Sequence, residues 1–317
     1  MSDGAHLLIP FASLDAPAAR QALETLDLPH LGRLLASLAP HLPESGDVRS
    51  LSTPLERVLA RECGMSAPDG AIPWAAWQML QDGRDPGDAA WAWITPCHWN
   101  VASDHISMGH LAALQLDAND SRALLAAMQP YFEQDAIHLE YESPTRWLAR
   151  GEVFRGLATA SLDRVVGQDI DAWIPRGEAA RTLRRLQSEM QMLLYTHALS
   201  DKRANARLQP VNSFWVSGSG ALPTSRSAAP PPGLQIANDL REAALSQDWP
   251  AWTTCWTRLD ARDCARLATS LDQGQPVALT LCGERGARTW GTRKAGLWRT
   301  LRNRLLPDSA IRQLETL

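Results

Sequence analysis

Imidazole runs out early in this chain. It has eight histidines, the last of them His197, so residues 198–317 carry none. A divalent-cation site assembled in that closing stretch would have carboxylates and thiols alone to draw on. Cysteine is sparse as well: five residues (63, 97, 255, 264 and 282), widely spread, with no Cys-x-x-Cys pair. That spacing excludes a disulfide framework and a zinc ribbon, and it fits a reduced, cytoplasmic protein. No apolar run reaches eighteen residues, which excludes a hydrophobic helix long enough to cross a bilayer, and no membrane partner is expected. The opening MSDGAHLLIPFAS has an acid before a short apolar run and no basic region, so a secretory signal is not expected. Strong charge is missing too. A net charge of −4 argues against nucleic-acid binding by the protein as a whole.

What the chain does have is core. With 317 residues, 45% of them hydrophobic, it can build one large domain or two small ones. Thirteen tryptophans stand against three tyrosines and four phenylalanines, an imbalance that speaks of packing and not of chemistry. The most informative stretch is Arg181 to Gly220. Leu183, Leu186, Met190, Leu193 and Leu194 recur at helical spacing, with His197 one turn further on the same face. The polar run 200–207 reads as a turn, 211–216 as a strand and Ser217–Gly220 as a flexible loop. Helix, turn and strand make an α/β arrangement, in which ligands gather at strand ends.

Elsewhere, residues 6–11 read as a buried first strand, 28–38 as a helix, 91–99 as a strand meeting a proline, and 276–284 as a buried strand. Thr53, Pro54 and Glu56 compose a capping box with proline at the first helical position. Asp117 caps a helix that Pro130 is expected to stop. The spacing of Cys97, His98, His105 and His110 matches no structural zinc pattern. Residues 234–256 read as helical, with Trp249, Trp252 and Trp256 on one face. Residues 224–233 are a linker by composition. Between 285 and 304 seven basic residues follow one another with no acid among them, a solvated surface or a contact for nucleic acid or an acidic protein.

The segments HLLIPFA, TPCHW, QMLLYTH, PVNSFW and LTLCGE together resemble the RpfE-type bacterial regulatory proteins. THALSDKR followed by PVNSFWVSGSGALP is similar to a segment of the archaeal-type cofactor-independent phosphoglycerate mutases, of the alkaline-phosphatase-like superfamily, with the likeness strongest over residues 90–225. The resemblance implies an alkaline-phosphatase-like α/β fold: a central sheet flanked by helices, with an inserted α+β subdomain. The implied divisions are 1–88 (first part of the core), 89–160 (insertion), 161–223 (return into the core), 224–233 (linker) and 234–317 (closing α/β part with its basic tail). It also implies that Arg146, His197, Arg203 and Asn212 face an anionic substrate. Ser52, near the family's nucleophile, is a weak candidate beside the capping reading of its neighbour. The family's metal-binding aspartate after the first strand is absent, with Pro10-Phe-Ala-Ser13 in its place.

A two-cation phosphoryl-transfer site needs carboxylates and several imidazoles converging, and the closing third supplies no imidazole. The expected function is therefore a degenerate, mutase-like regulatory protein that binds a small anionic metabolite and needs no metal. Two alternatives stay open: an active mutase or related phosphotransferase using divalent metal, and a nucleic-acid or protein adaptor acting through residues 285–304.

Overall fold

The computed structural model describes residues 4–41, 43–223, 229–292 and 310–317. In chain order the elements are β1 (Ala5–Ile9), α1 (Pro17–Glu24), α2 (Pro29–Ser37), β2 (Ala39–Pro40), β3 (Glu44–Ser45), α3 (Pro54–Glu62), α4 (Trp74–Gln81), β4 (Trp91–Cys97), β5 (Trp99–Val101), β6 (Ile106–Met108), α5 (Leu111–Leu114), α6 (Ala118–Glu133), β7 (His138–Ser143), β8 (Arg146–Arg150) and α7 (Leu162–Val165). There follow α8 (Arg181–Thr196), α9 (Ala198–Asn205), β9 (Ser213–Gly220), β10 (Leu234–Ile236), α10 (Arg241–Leu245), α11 (Trp249–Leu259), α12 (Ala265–Asp272), β11 (Val277–Cys282), β12 (Gly286–Gly291) and α13 (Ala310–Glu315). The architecture is mixed α/β, as expected. Two compact units share it: one of residues 1–48, 53–63 and 230–317, the other of 49–52 and 64–229.

The first unit is built on a mixed sheet ordered β10-β1-β11-β12-β2, with β3 also on β12. Strand β1 runs parallel to both neighbours, Leu8 standing opposite Ile236 on one side and Thr280 on the other. Alternation then separates the faces. Leu7 and Ile9 join Leu279 and Leu281 in a core with Leu31, Leu34, Trp252, Trp256 and Leu259. Leu8 turns the other way, onto Val58, Cys282 and Ala287. The aromatic face of α11 is core, with Trp252 meeting Trp249 and Trp256 edge-on at 6.3 Å each. The anticipated capping box holds α3: Thr53 Oγ1 accepts from the Glu56 N–H at 3.2 Å, and Glu56 accepts the Thr53 N–H at 2.7 Å. Helix α2 is capped from afar, because the buried Asp260 carboxylate accepts the N–H groups of His30 and Leu31 at 3.2 and 2.7 Å. Asp260 reaches them from a single π-helical turn, Asp260–Cys264, set between α11 and α12. Residues 234–236, expected to be helical, instead form β10, because β1 offers them a ladder that local sequence cannot reveal.

The second unit has a four-stranded sheet ordered β7-β8-β4-β9 and a small β5-β6 hairpin. One face carries Ala92, Ile94, Trp147, Phe214 and Val216 against Phe132 of α6 and Leu183, Leu186 and Met190 of α8. Strand β9 pairs with β4, which places it in the same unit as residues 64–160. Two expectations are corrected in this unit. Ser217–Gly220 is no loop: Ser219 is buried, donating to the Leu157 carbonyl at 2.6 Å, and Gly218 (φ 62) turns the strand where a Cβ would meet the Trp93 ring at 2.8 Å. Pro130 lies inside α6, near its end. A proline costs about 3 kcal/mol in a helix interior. Buried Phe132, packed on Phe214 at 5.2 Å, holds the last turn in place.

Half-buried His6 makes the stability of the first unit pH-dependent. Burial first, then the neighbouring Arg61 and His41, lowers its imidazole from 6.5 to about 4. The native state therefore resists protonation that the unfolded chain accepts. Stability is full above pH 6.5 and falls as pH drops toward 4, by up to roughly 3 kcal/mol. Urea denaturation as a function of pH will show this slope in the wild type and its loss in His6→Gln. Thr53→Ala, which removes the cap, is expected to cost about 1 kcal/mol at any pH in the same measurement.

Candidate functional site

Parallel strands of one sheet leave their carboxyl ends on one edge, and loops that follow them converge there. In the first unit β1 and β11 do this, tied by the Ala12 N–H donating to the Cys282 carbonyl at 2.8 Å. The chain leaves β1 through Phe11 at φ 56, a conformation that a bulky residue rarely takes. Its carbonyl is held by the Trp252 indole N–H at 3.1 Å. The two loops then lock together: the Asp15 N–H donates to Glu284 Oε2 at 2.9 Å.

Around this edge two carboxylates are each shared by two guanidinium groups. Asp15 takes Arg20 at 2.9 Å on one oxygen and Arg285 on the other. Glu44 of β3 takes Arg57 at 3.2 Å and Arg61, both from α3. Arg57 also donates to the Arg285 carbonyl at 3.2 Å, an approach that needs Gly46, where a Cβ would come 2.2 Å from its guanidinium. Arg288 adds a further cation, its guanidinium donating to Gln313 at 3.1 Å. These groups border a cavity of about 330 Å³ whose wall includes Asp15, Arg20, Glu44, Arg285, Arg288 and Glu315. The wall carries three guanidiniums, Arg20, Arg285 and Arg288, against three carboxylates, Asp15, Glu44 and Glu315, so an oxyanion there would be held by the bidentate geometry of the guanidiniums and not by an excess of charge.

The residues that the resemblance singled out lie in the second unit, and most have structural partners. Arg203 is 1% exposed and donates to the carbonyls of Gln209 (2.9 Å) and Leu114, with Asp120 3.6 Å away. Asn212 completes a backbone ladder, accepting the Trp99 N–H at 2.7 Å and donating to the Trp99 carbonyl at 2.9 Å. His197 is the N-cap of α9, its Nδ1 accepting the Leu199 N–H at 3.2 Å. Arg146 is exposed, bonded to Glu142 at 2.9 Å and stacked 5.4 Å from the Trp93 ring centre. Ser52 is buried, its hydroxyl accepting the Gly70 N–H at 2.9 Å. Among the described residues Arg146 shares no hydrogen bond or ion pair with Arg203, His197 or Asn212. The turn expected over 200–207 is in fact helix α9, which carries Arg203 inward.

Of the clustered histidine candidates, His98 donates from Nδ1 to the Pro210 carbonyl at 2.9 Å, and the His105 ring bonds Asp104 at 2.8 Å. Among the described residues no group of three or more His, Cys, Asp or Glu side chains is placed to hold a metal ion. At the strand-end cavity a divalent cation would meet the guanidiniums of Arg20, Arg57, Arg61 and Arg285 around the carboxylates of Asp15 and Glu44. The donor set does not fit a two-cation centre. Arg285 and Arg288 of the basic run belong to this cavity, and Arg293, Lys294, Arg299, Arg302 and Arg304 lie outside the described residues. Asp15 and Arg285 could have been picked from sequence, since each follows a recognisable strand. Glu44, Arg57 and Arg61 could not, because their convergence is tertiary.

No protein-family profile and no curated protein matches the chain. Among solved structures it is similar to the cofactor-independent phosphoglycerate mutase of Thermoplasma acidophilum, at 11% identity and a TM-score of 0.39, over 92% of this chain and 90% of that one. It is also similar to the PH0037 protein from Pyrococcus horikoshii, at 11% identity and a TM-score of 0.47, over 91% of this chain and 87% of that one. At these identities and scores neither likeness assigns an activity.

The partners of Arg203 predict a structural phenotype. Arg203→Met strands the carbonyls of Leu114 and Gln209 and leaves buried Asp120 with the exposed Lys202 alone. The expected loss is about 3–5 kcal/mol in urea denaturation. Arg146→Gln, at an exposed pair, is expected to cost less than about 1 kcal/mol.

Proposed function

We propose that this chain acts by binding: a mutase-like protein without the mutase's metal-assisted chemistry, taking a small anionic metabolite and serving a regulatory role. One observation carries the reading. The strand-end cavity is walled by three guanidiniums, Arg20, Arg285 and Arg288, set beside the carboxylates Asp15, Glu44 and Glu315. An oxyanion arriving there can take hydrogen bonds from Arg20, Arg285 and Arg288, while the Arg57–Glu44–Arg61 bridge keeps the wall in place. The sequence likeness to regulatory relatives of the phosphoglycerate mutases supports the choice of ligand class, a phosphorylated or carboxylated metabolite. In the second unit Arg146 keeps an accessible guanidinium.

The chemistry of the cavity also argues for binding without turnover. Its guanidiniums hold their protons, and Asp15 and Glu44 are each tied to two arginines, so the wall offers an electrostatic grip through its guanidinium forks. Cys282, at the end of β11, is buried, and burial pushes its thiol far above the ordinary range, away from the reactive thiolate.

Calorimetric titration at low ionic strength with 3-phosphoglycerate and with inorganic phosphate tests the proposal. Millimolar or tighter binding is expected, with a matching rise in Tm. The double variant R285Q/R288Q is expected to weaken it by about tenfold or more. Absence of heat and of any Tm change with both anions, or unchanged affinity in the double variant, would contradict it.

A further inference from the structure

We propose that the second unit carries a separate site for a free α-amino acid, in a groove where the β7–β8 hairpin opens onto the end of α6. The groove has a volume of about 500 Å³, inside the range of small-molecule sites. It does not depend on the anion site proposed above, which belongs to the other unit.

Two opposite charges in its wall lack counter-ions. Arg150 ends β8, and among the described residues no carboxylate pairs with its guanidinium. Neighbouring arginines are all engaged: Arg155 with Glu152, Arg185 with Asp135 and Glu189, Arg146 with Glu142. Glu133 closes α6, accepting a hydrogen bond from Gln129 at 2.6 Å but pairing with no cation among the described residues. Arg150 and Glu133 line one cavity and make no ion pair with each other. An unpaired cation and an unpaired anion held apart in one groove match a ligand carrying both signs. The carboxylate of an amino acid would sit on Arg150, and its ammonium on Glu133.

The surrounding groups complete the fit. His138 stands directly opposite Arg150 across the ladder, so the two side chains leave the same face. Its Nδ1 lies 3.4 Å from the Gln129 amide nitrogen, which assigns the proton to Nε2 and makes that atom a further donor to a carboxylate. Glu152 also borders the groove, but Arg155 neutralises it. The floor is apolar, formed by buried Ile137 and Ala90, and can take an aliphatic side chain. Ala136, at φ 57, ends α6 so that the Ile137 N–H returns to the Phe132 carbonyl at 3.0 Å, which fixes Glu133 above that floor.

The test is ligand-observed NMR and calorimetry on the full chain with each standard amino acid, alongside its N-acetyl and amide derivatives. A subset of aliphatic amino acids is expected to bind. Acetylating the amine or amidating the carboxylate is expected to weaken binding about tenfold or more, as are R150Q and E133Q in variants with unchanged circular dichroism. R181Q, at an exposed pair with Glu178 outside the groove, serves as the control and is expected to bind as the wild type does. The proposal fails if no amino acid binds the wild type at millimolar concentration. It fails equally if the blocked derivatives bind as well as the parent, or if both R150Q and E133Q keep full affinity.

Discussion

The parallel pairing of β1 with β10 and β11 is the constraint on which the first unit depends. Residues 5–9 find their hydrogen-bond partners at 234–236 and 277–281, more than two hundred positions along the chain. Closing so long a loop costs entropy before any contact repays it, though the cost rises only slowly with length. Burial of Leu7, Leu8 and Ile9 on both faces of the sheet offsets it. Once the ladder forms, the loop after β1 and the loop after β11 are side by side. Asp15 and Arg285 meet only for that reason.

Charge at this edge follows a simple economy. Asp15 and Glu44 each serve two guanidiniums, so every arginine on them is anchored and only partly neutralised. Anchoring lowers the entropy lost when a ligand is gripped. The same arrangement commits Asp15 and Glu44 to arginines. The second unit uses its charges otherwise: buried Arg203 ties three backbone and side-chain acceptors of one unit together, a structural task that a solvent-facing residue could not perform.

Where local signals were strong, the sequence could be read directly. The Thr53 box, the tryptophan face of α11 and the apolar runs of β1, β4 and β11 each depend on spacing within a few residues, and they appear as expected. Where the decision was tertiary, spacing misled. Ser217–Gly220 has loop composition but finds β4 beside it, and Leu234–Ile236 finds β1. Residues 200–207 look like a polar turn because their one buried side chain, Arg203, is itself charged. Polarity alone could not separate a ligand-binding arginine from one satisfied by carbonyls, and the same holds for Asn212 and His197. The strand-end cavity was half legible: Asp15 and Arg285 follow predicted strands, whereas Glu44 and Arg57 arrive through β3 and α3.

The central proposal is that this chain binds a small anion without a pair of catalytic cations. Metal analysis of the purified protein after incubation with manganese and zinc, coupled to an assay of 3-phosphoglycerate turnover, tests it most directly. The account predicts no stoichiometric metal and no turnover above background. Two tightly held equivalents of metal together with mutase activity would contradict it.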